Sequence, residues 1–163
     1  MSTSTRRGLP EVVLGVVLAV ALALLAWQVA VWVQDHRDDE RRTAAVDVAK
    51  AQVLDLTTLD SQSVSSTVKA MGSRVTGDFK RQFDGFSQTF VDVVKHDKIT
   101  ATGEISDAGI SSFEDSSAVV IVASTTKVAT AKQTTPAQRD YRISVSLDRV
   151  DGSWLISGME FVR

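Results

Sequence analysis

An α+β domain carried behind a single N-terminal transmembrane helix is the fold class that this sequence predicts. Three observations predict it. Residues 12–33 hold 20 apolar residues out of 22, apolar side chains then recur at three- and four-residue spacing as far as Val94, and from Ile99 the period shortens to two. The 163 residues leave room for one ordinary domain of about 100–150 residues plus a short appendage.

Only Gly15 and Gln28 interrupt the first stretch, whose body includes Val12, Leu18 and Leu24. At about 1.5 Å per residue it reaches about 33 Å, enough to cross a hydrocarbon core of about 30 Å. Trp27 and Trp32 stand near its far end, where an amphipathic indole suits the headgroup layer. Ala19-Val20-Ala21 and Ala21-Leu22-Ala23 have the small-x-small form of a signal cleavage site, and Arg6-Arg7 is a fragment of a twin-arginine signal. The apolar run, however, far exceeds the roughly 7–15 residues of a cleaved signal, so its length favours a retained anchor in contact with the bilayer. Two arginines precede the span (Arg6, Arg7) and three follow it (Arg37, Arg41, Arg42), so charge counting does not orient it. A short tail followed by the first hydrophobic segment normally acts as a signal-anchor. The expectation is therefore a single-pass protein of the cell membrane with a cytoplasmic tail (1–11), a transmembrane helix (12–33), a charged juxtamembrane helix (34–43) and an extracytoplasmic domain (44–163).

The helical part continues without Gly or Pro from Gly15 to Gly72. Asp38 lies three residues before Arg41 and four before Arg42, pairs that support a helix by a few tenths of a kcal/mol each. Val46, Ala49, Val53 and Leu56 follow at helical spacing, so the exit helix should run to about Leu56 and dock that stripe on the domain. Residues 57–61 read as a turn. Ser63 is placed to cap a short helix that Gly72 would end, and Thr76 to cap a third, with Asp78 in its first turn. Phe79, Phe83, Phe86, Phe90 and Val94 then form a continuous stripe carrying four of the six Phe. Rings at this spacing are read as core, not as a cofactor box.

The strands come last. Ile99–Ile110 reads as a broken strand, with Gly103 and Gly109 as candidate bulges. Residues 118–128 are nearly continuously β-branched, as in a strand covered on both faces. Tyr141, Ile143, Val145 and Leu147 alternate with Arg142, Ser144, Ser146 and Asp148, which predicts one wet face and makes Arg142, Ser144 and Ser146 a candidate partner face. Asp151-Gly152 predicts a tight hairpin into a final strand beginning at Trp154, a further core residue. The sum is three helices followed by an antiparallel meander of about four strands.

The inventory for chemistry is thin. The absence of Cys excludes disulfides, thiolate zinc sites and cysteine nucleophiles. Eighteen Lys and Arg against 20 Asp and Glu give a net charge of −2, without the basic bias of a nucleic-acid binder. His36 lies among juxtamembrane charges. His96 precedes Asp97 but has no nucleophile placed by motif, and a ring near a helix C-terminus is explained by the dipole alone. Glu114-Asp115 lacks the spacing of a calcium loop, and no Gly-rich phosphate cradle occurs. No catalytic, cofactor-binding or metal-binding residues are assigned, and the expectation is a protein that is not an enzyme and needs no cofactor.

Leu56-Thr57-Thr58-Leu59-Asp60, Val75-Thr76-Gly77-Asp78-Phe79 with Phe83, the strand 118–122 and the ending Leu147-Asp148-Arg149-Val150-Asp151-Gly152-Ser153-Trp154-Leu155-Ile156-Ser157 resemble the Mce-associated membrane proteins over about 44–163. The resemblance implies a nuclear-transport-factor-2-like cone, three helices wrapped by a curved antiparallel sheet. It also implies an accessory role in the cell envelope, assembling or stabilising an Mce-type lipid import complex through its transporter subunits and other membrane proteins. Self-association stays open. The family supplies no catalytic residues to carry over. Beside this assembly role stands a second reading, a small apolar ligand carrier or isomerase with a hollow cone walled by Phe79, Phe83, Phe90 and Trp154. A cavity of about 300 Å³ or more with a convergent acid or tyrosine would mark it.

Overall fold

The computed structural model describes residues 25, 27, 28, 38–133 and 135–162. Of the expected span, Leu25, Trp27 and Gln28 are helical, whereas Val12, Leu18, Leu24 and Trp32 lie outside the described residues, as does His36. Among the described residues no helix is long and apolar enough to cross a membrane. A compact unit begins at Arg42 and carries the fold to the C-terminus.

Three helices precede the four long strands: α1 (38–57), α2 (Val64–Gly72) and α3 (Gly77–His96). In α1 the buried stripe is Ala45, Ala49, Gln52, Val53 and Thr57, while Val46 and Leu56 are only half-buried. The stripe is thus rotated from the expected one, and it includes a glutamine. Arg41 pairs with Asp38, but Arg42 turns its guanidinium over the Phe113 ring, 4.4 Å from the centroid, a cation–π contact in place of the expected helix pair.

Neither later helix is capped by the side chain expected. The Ser63 carbonyl accepts bonds from Ser66 N (3.0 Å) and Thr67 N (3.1 Å), but no Ser63 side-chain bond forms, and Thr76 likewise makes none. Gly72 is not a left-handed cap, since positive φ among the described glycines belongs to Gly77 and Gly152. It is small for another reason: a Cβ there would stand 3.3 Å from Phe83 Cε1, so the end of α2 packs closely on α3. On α3, Phe83, Val91 and Val94 are buried, and Asp78 forms an exposed ion pair with Arg81 at 2.6 Å.

The sheet has five antiparallel strands in meander order: β1 (Leu59–Asp60), β2 (Thr100–Phe113), β3 (Ser117–Ala129), β4 (Ala137–Val150) and β5 (Ser153–Phe161). It curls into a half-barrel around the helices. Two residues expected in a turn instead form β1, Leu59 opposite Ala101 and Asp60 opposite Thr100. The bulges of β2 fall at Ser106 and Ser111, where the register slips, and not at Gly103 or Gly109. Gly103 answers to a close approach: an added Cβ would lie 2.2 Å from Thr57 Oγ1, where the end of α1 crosses β2. That oxygen donates to the Val53 carbonyl at 2.7 Å, and Thr58 Oγ1 accepts from Gly103 N at 3.3 Å.

The strand β3 is not covered on both faces. Ala118, Val120, Val122, Ser124 and Thr126 are buried on the concave side, and the alternate residues through 125 are half-buried. Asp151 (φ 49°) and Gly152 (φ 82°) make the two-residue turn between β4 and β5, the backbone that a type I′ hairpin requires. The linker between α2 and α3 is stitched to the free side of β5, with Thr76 N bonded to Ile156 O (2.8 Å) and Ile156 N to Arg74 O (2.7 Å).

Candidate functional site

One end of the half-barrel is filled. Leu147, Val145, Val120 and Ile156 are fully buried there, and Trp154 packs on Phe113 with ring centroids 5.6 Å apart. The other end is open and holds two apolar clefts that share Leu56 and Phe161. The first, of about 220 Å³, lies between Leu59, Ile99, Thr126, Val128 and Tyr141. The second, of about 210 Å³, lies between Gln52, Met71, Phe79, Phe83, Phe86, Ile143, Met159 and Glu160. Among the described residues, neither of these two clefts reaches the volume of about 300 Å³ that would mark a hollow cone.

Local chain logic explains who lines these clefts. Ile143 faces Phe161 and Val145 faces Met159 across β4 and β5, so alternation turns Met159 and Phe161 to the concave side. Phe161 comes last in the strand and is 68% exposed. Its ring leans on Tyr141 at 5.6 Å, which gives the tyrosine ring an aromatic neighbour.

The expected core stripe divides. Phe83, Val94 and Trp154 are buried and Phe79 and Phe90 half-buried, but Phe86 is 47% exposed and stands edge-on to Phe83 at 5.4 Å. Five residues at spacings of four, three, four and four drift around a helix, and Phe86 falls on the side that the sheet leaves uncovered. Phe79 and Phe83 line the second cleft, whereas Phe90 borders only a space of about 30 Å³ and Trp154 belongs to the filled end.

A residue beside each cleft carries a polar atom that is sealed from solvent and has no partner, Thr126 Oγ1 at the first and Gln52 Nε2 at the second. Gln52 is oriented by its neighbours. Arg74 Nη1 donates to Gln52 Oε1 at 3.1 Å, and Arg74 Nη2 meets Asp55 Oδ2 at 2.5 Å. A guanidinium only donates, so the amide oxygen must face it and the amide NH2 must face away. An unpaired buried donor costs about 1–3 kcal/mol. The sequence contained one signal for this residue, a glutamine set among Ala45, Ala49 and Val53 at helical spacing, and for Phe161 and Met159 there was only strand alternation.

On the convex side, Arg142, Ser144 and Ser146 share one face of β4. Arg142 is exposed and Ser146 half-buried, but Ser144 is 7% exposed, because its short side chain stands between Ile121 of β3 and Glu160 of β5. This face is consequently not uniformly wet. Gly109, Ser112 and Gly158 complete a platform of small residues around Val119 and Ile121, with Asp107, Arg142 and Asp148 at its margins. His96 and Asp97 stand 4.0 Å apart with the imidazole 88% exposed, which brings no third group to the pair. Among the described residues no cluster of three or more His, Cys, Asp or Glu could hold a metal ion.

Comparison with known proteins places this geometry among relatives. The periplasmic domain of DotI superposes with a TM-score of 0.61 at 16% identity, covering 74% of this chain and 94% of that domain. CagV of Helicobacter pylori, a VirB8 homolog of a type IV secretion system, gives 0.57 at 14% identity over 73% of this chain and 97% of its own. At these identities the likeness is one of fold. By sequence, Rv1363c of Mycobacterium tuberculosis is 30% identical over 135 residues, 81% of this chain, which spans about half (51%) of that relative's length. The family described as "Uncharacterized protein Rv1363c/MT1408-like" matches residues 9–163, and the chain belongs to it.

Proposed function

We propose that this protein is a membrane-anchored, non-enzymatic assembly subunit of the cell envelope, which holds or stabilises partner membrane proteins through the convex face of its sheet. The observation that carries the reading is the platform around Val119 and Ile121. Apolar side chains ringed by Gly109, Ser144, Ser146 and Gly158 give a flat surface that a partner can approach closely, and the marginal charges supply register. The apolar run at 12–33 supports the anchor, with the folded domain outside the cytoplasm. The fold it shares with a periplasmic domain of DotI and with CagV is compatible with an envelope scaffold. Resemblance of its motifs to Mce-associated proteins directs the search for partners to Mce-type lipid import complexes. An isomerase reading finds less support, since Tyr141 lines the first cleft and Glu160 borders only the second, so the two do not converge on one site.

Purification of the full chain from detergent-solubilised membranes tests the proposal. Transporter subunits are expected at stoichiometric levels, and Ile121→Arg should lower their recovery at least tenfold while the domain keeps its thermal midpoint within a few degrees. Unchanged recovery with Ile121→Arg, together with unchanged transporter abundance on deletion of the protein, would sink the assembly role. A lone cysteine in the variant Ser116→Cys should react with an impermeant thiol reagent in intact cells, and labelling only after lysis would reverse the topology.

A further inference from the structure

We infer that the first cleft binds a single-chain amphiphile with a carboxylate head, its tail on the apolar walls and its head held at the mouth by Arg139 and the Tyr141 hydroxyl. The site lies on the concave side and does not depend on the partner platform. Its walls are Leu56, Leu59, Ile99, Val128 and Phe161, so the body of the ligand is hydrocarbon. Strand register supplies the polar contacts. Arg139 is the direct cross-strand partner of Thr126, which lines the cleft, so the two Cβ atoms are about 5 Å apart on one face. Tyr141, also in the lining, follows two residues later on that face of β4. Arg139 is exposed, and among the described residues neither its guanidinium nor the Tyr141 hydroxyl has a hydrogen-bond or ion-pair partner. A guanidinium presents its N–H groups as a fork that matches a carboxylate, and the phenol adds a further donor.

The same register keeps acids away from the mouth. Asp60 opposite Thr100, Glu104 opposite Thr125, and Asp140, which accepts from Thr125 Oγ1 at 2.8 Å, all alternate to the convex side. At the end of α3, Asp97 has His96 at 4.0 Å and precedes Lys98. An unpaired cation with no acid beside it on its own face selects an anionic head over a neutral or cationic one. At about 220 Å³ the cleft exceeds an engineered cavity of about 150 Å³ that takes benzene. Leu56 and Phe161 also line the second cleft, so a longer tail can continue into it.

The probe is a dodecanoic acid with a diazirine in its chain, compared with the alcohol and the amine of the same chain. Each is photolysed with the full chain in phosphatidylcholine nanodiscs, and adducts are mapped by mass spectrometry. Labelling is counted relative to that of residues 12–33, which corrects for the amount of each probe in the bilayer. The acid is expected to label peptides containing Leu56, Ile99 or Phe161 at least fivefold more than the alcohol, and the amine no more than the alcohol. Comparison of the three probes on the unaltered chain needs no variant to fold. In Arg139→Gln, an exposed position, the preference for acid over alcohol should fall below twofold while labelling by the alcohol and the thermal midpoint stay unchanged. Adducts confined to residues 12–33, equal labelling of the cleft by acid and alcohol, or an undiminished preference in Arg139→Gln would overturn the inference.

Discussion

The two ends of the half-barrel are built from the same strands and behave as different materials. At the filled end, Leu147, Val145 and Ile156 are fully buried, Trp154 leans on Phe113, and Arg42 closes over the Phe113 ring. At the open end the pair Tyr141–Phe161 has the same ring separation, 5.6 Å, but Phe161 is mostly and Phe86 almost half exposed, and buried polar atoms lack partners. Aromatic content alone therefore does not decide what is core. The difference lies in the third layer: α1 contributes small alanines and Val53 to a closed packing, then ends at Thr57 beside the clefts. Stability is concentrated at one end, and the other keeps exposed apolar surface of the kind that binds.

This contrast is broken most severely at the filled end. Leu147→Ala removes a fully buried side chain between Ala118 on β3 and Ile156 on β5. The expected loss is about 2–5 kcal/mol, read as the fall in denaturation midpoint of the full chain in micelles. Phe161→Ala should cost well under half as much, because most of its ring is already in water. Equal losses at the two positions would mean that the open end is as closed in solution as the other.

A smaller effect probes the boundary. Gly103→Ala drives a Cβ to 2.2 Å from Thr57 Oγ1 and 2.7 Å from Thr57 Cβ, so α1 or β2 must move, at a cost of about 1–3 kcal/mol. The double variant Gly103→Ala with Thr57→Ala should recover only part of that loss, since Thr57 Cβ and the backbone carbon at 3.0 Å remain. Full recovery would show that the hydroxyl alone sets the approach.

How much of this was legible in the chain depends on the range of the forces involved. The inward set Ile143, Val145 and Leu147 of β4, the Asp151-Gly152 turn and the buried positions Phe83 and Val94 are local signals, and the structure has them where the pattern places them. Pairing of Leu59 with Ala101, the slips at Ser106 and Ser111, and the collision behind Gly103 depend on residues of another element, about 8 to 46 positions away, which periodicity does not register. Phe86 and Ser144 are the instructive exchanges: a large ring left outside because no layer reaches it, and a serine covered because its cross-strand neighbours are larger. The clefts escaped prediction for the same reason, since a space is defined by what fails to meet across it.

The smallest effect has the opposite sign and sharpens the comparison most. Gln52→Leu replaces a fully buried amide that has one unpaired donor by an apolar side chain of similar size, among Val53, Met71 and Phe83. Removing the unpaired donor returns part of its desolvation cost, while Arg74 Nη1 loses an acceptor but the guanidinium keeps its ion pair with Asp55 and partial access to water. The expected balance is between no change and about 1 kcal/mol of added stability, seen as an equal or higher melting temperature of the full chain. A core residue selected for packing would answer such a change with a loss. If Gln52→Leu instead costs 2 kcal/mol or more on the order expected for breaking a buried network, the amide is a structural tie between α1 and the α2–α3 linker, and the open end owes its shape to folding alone.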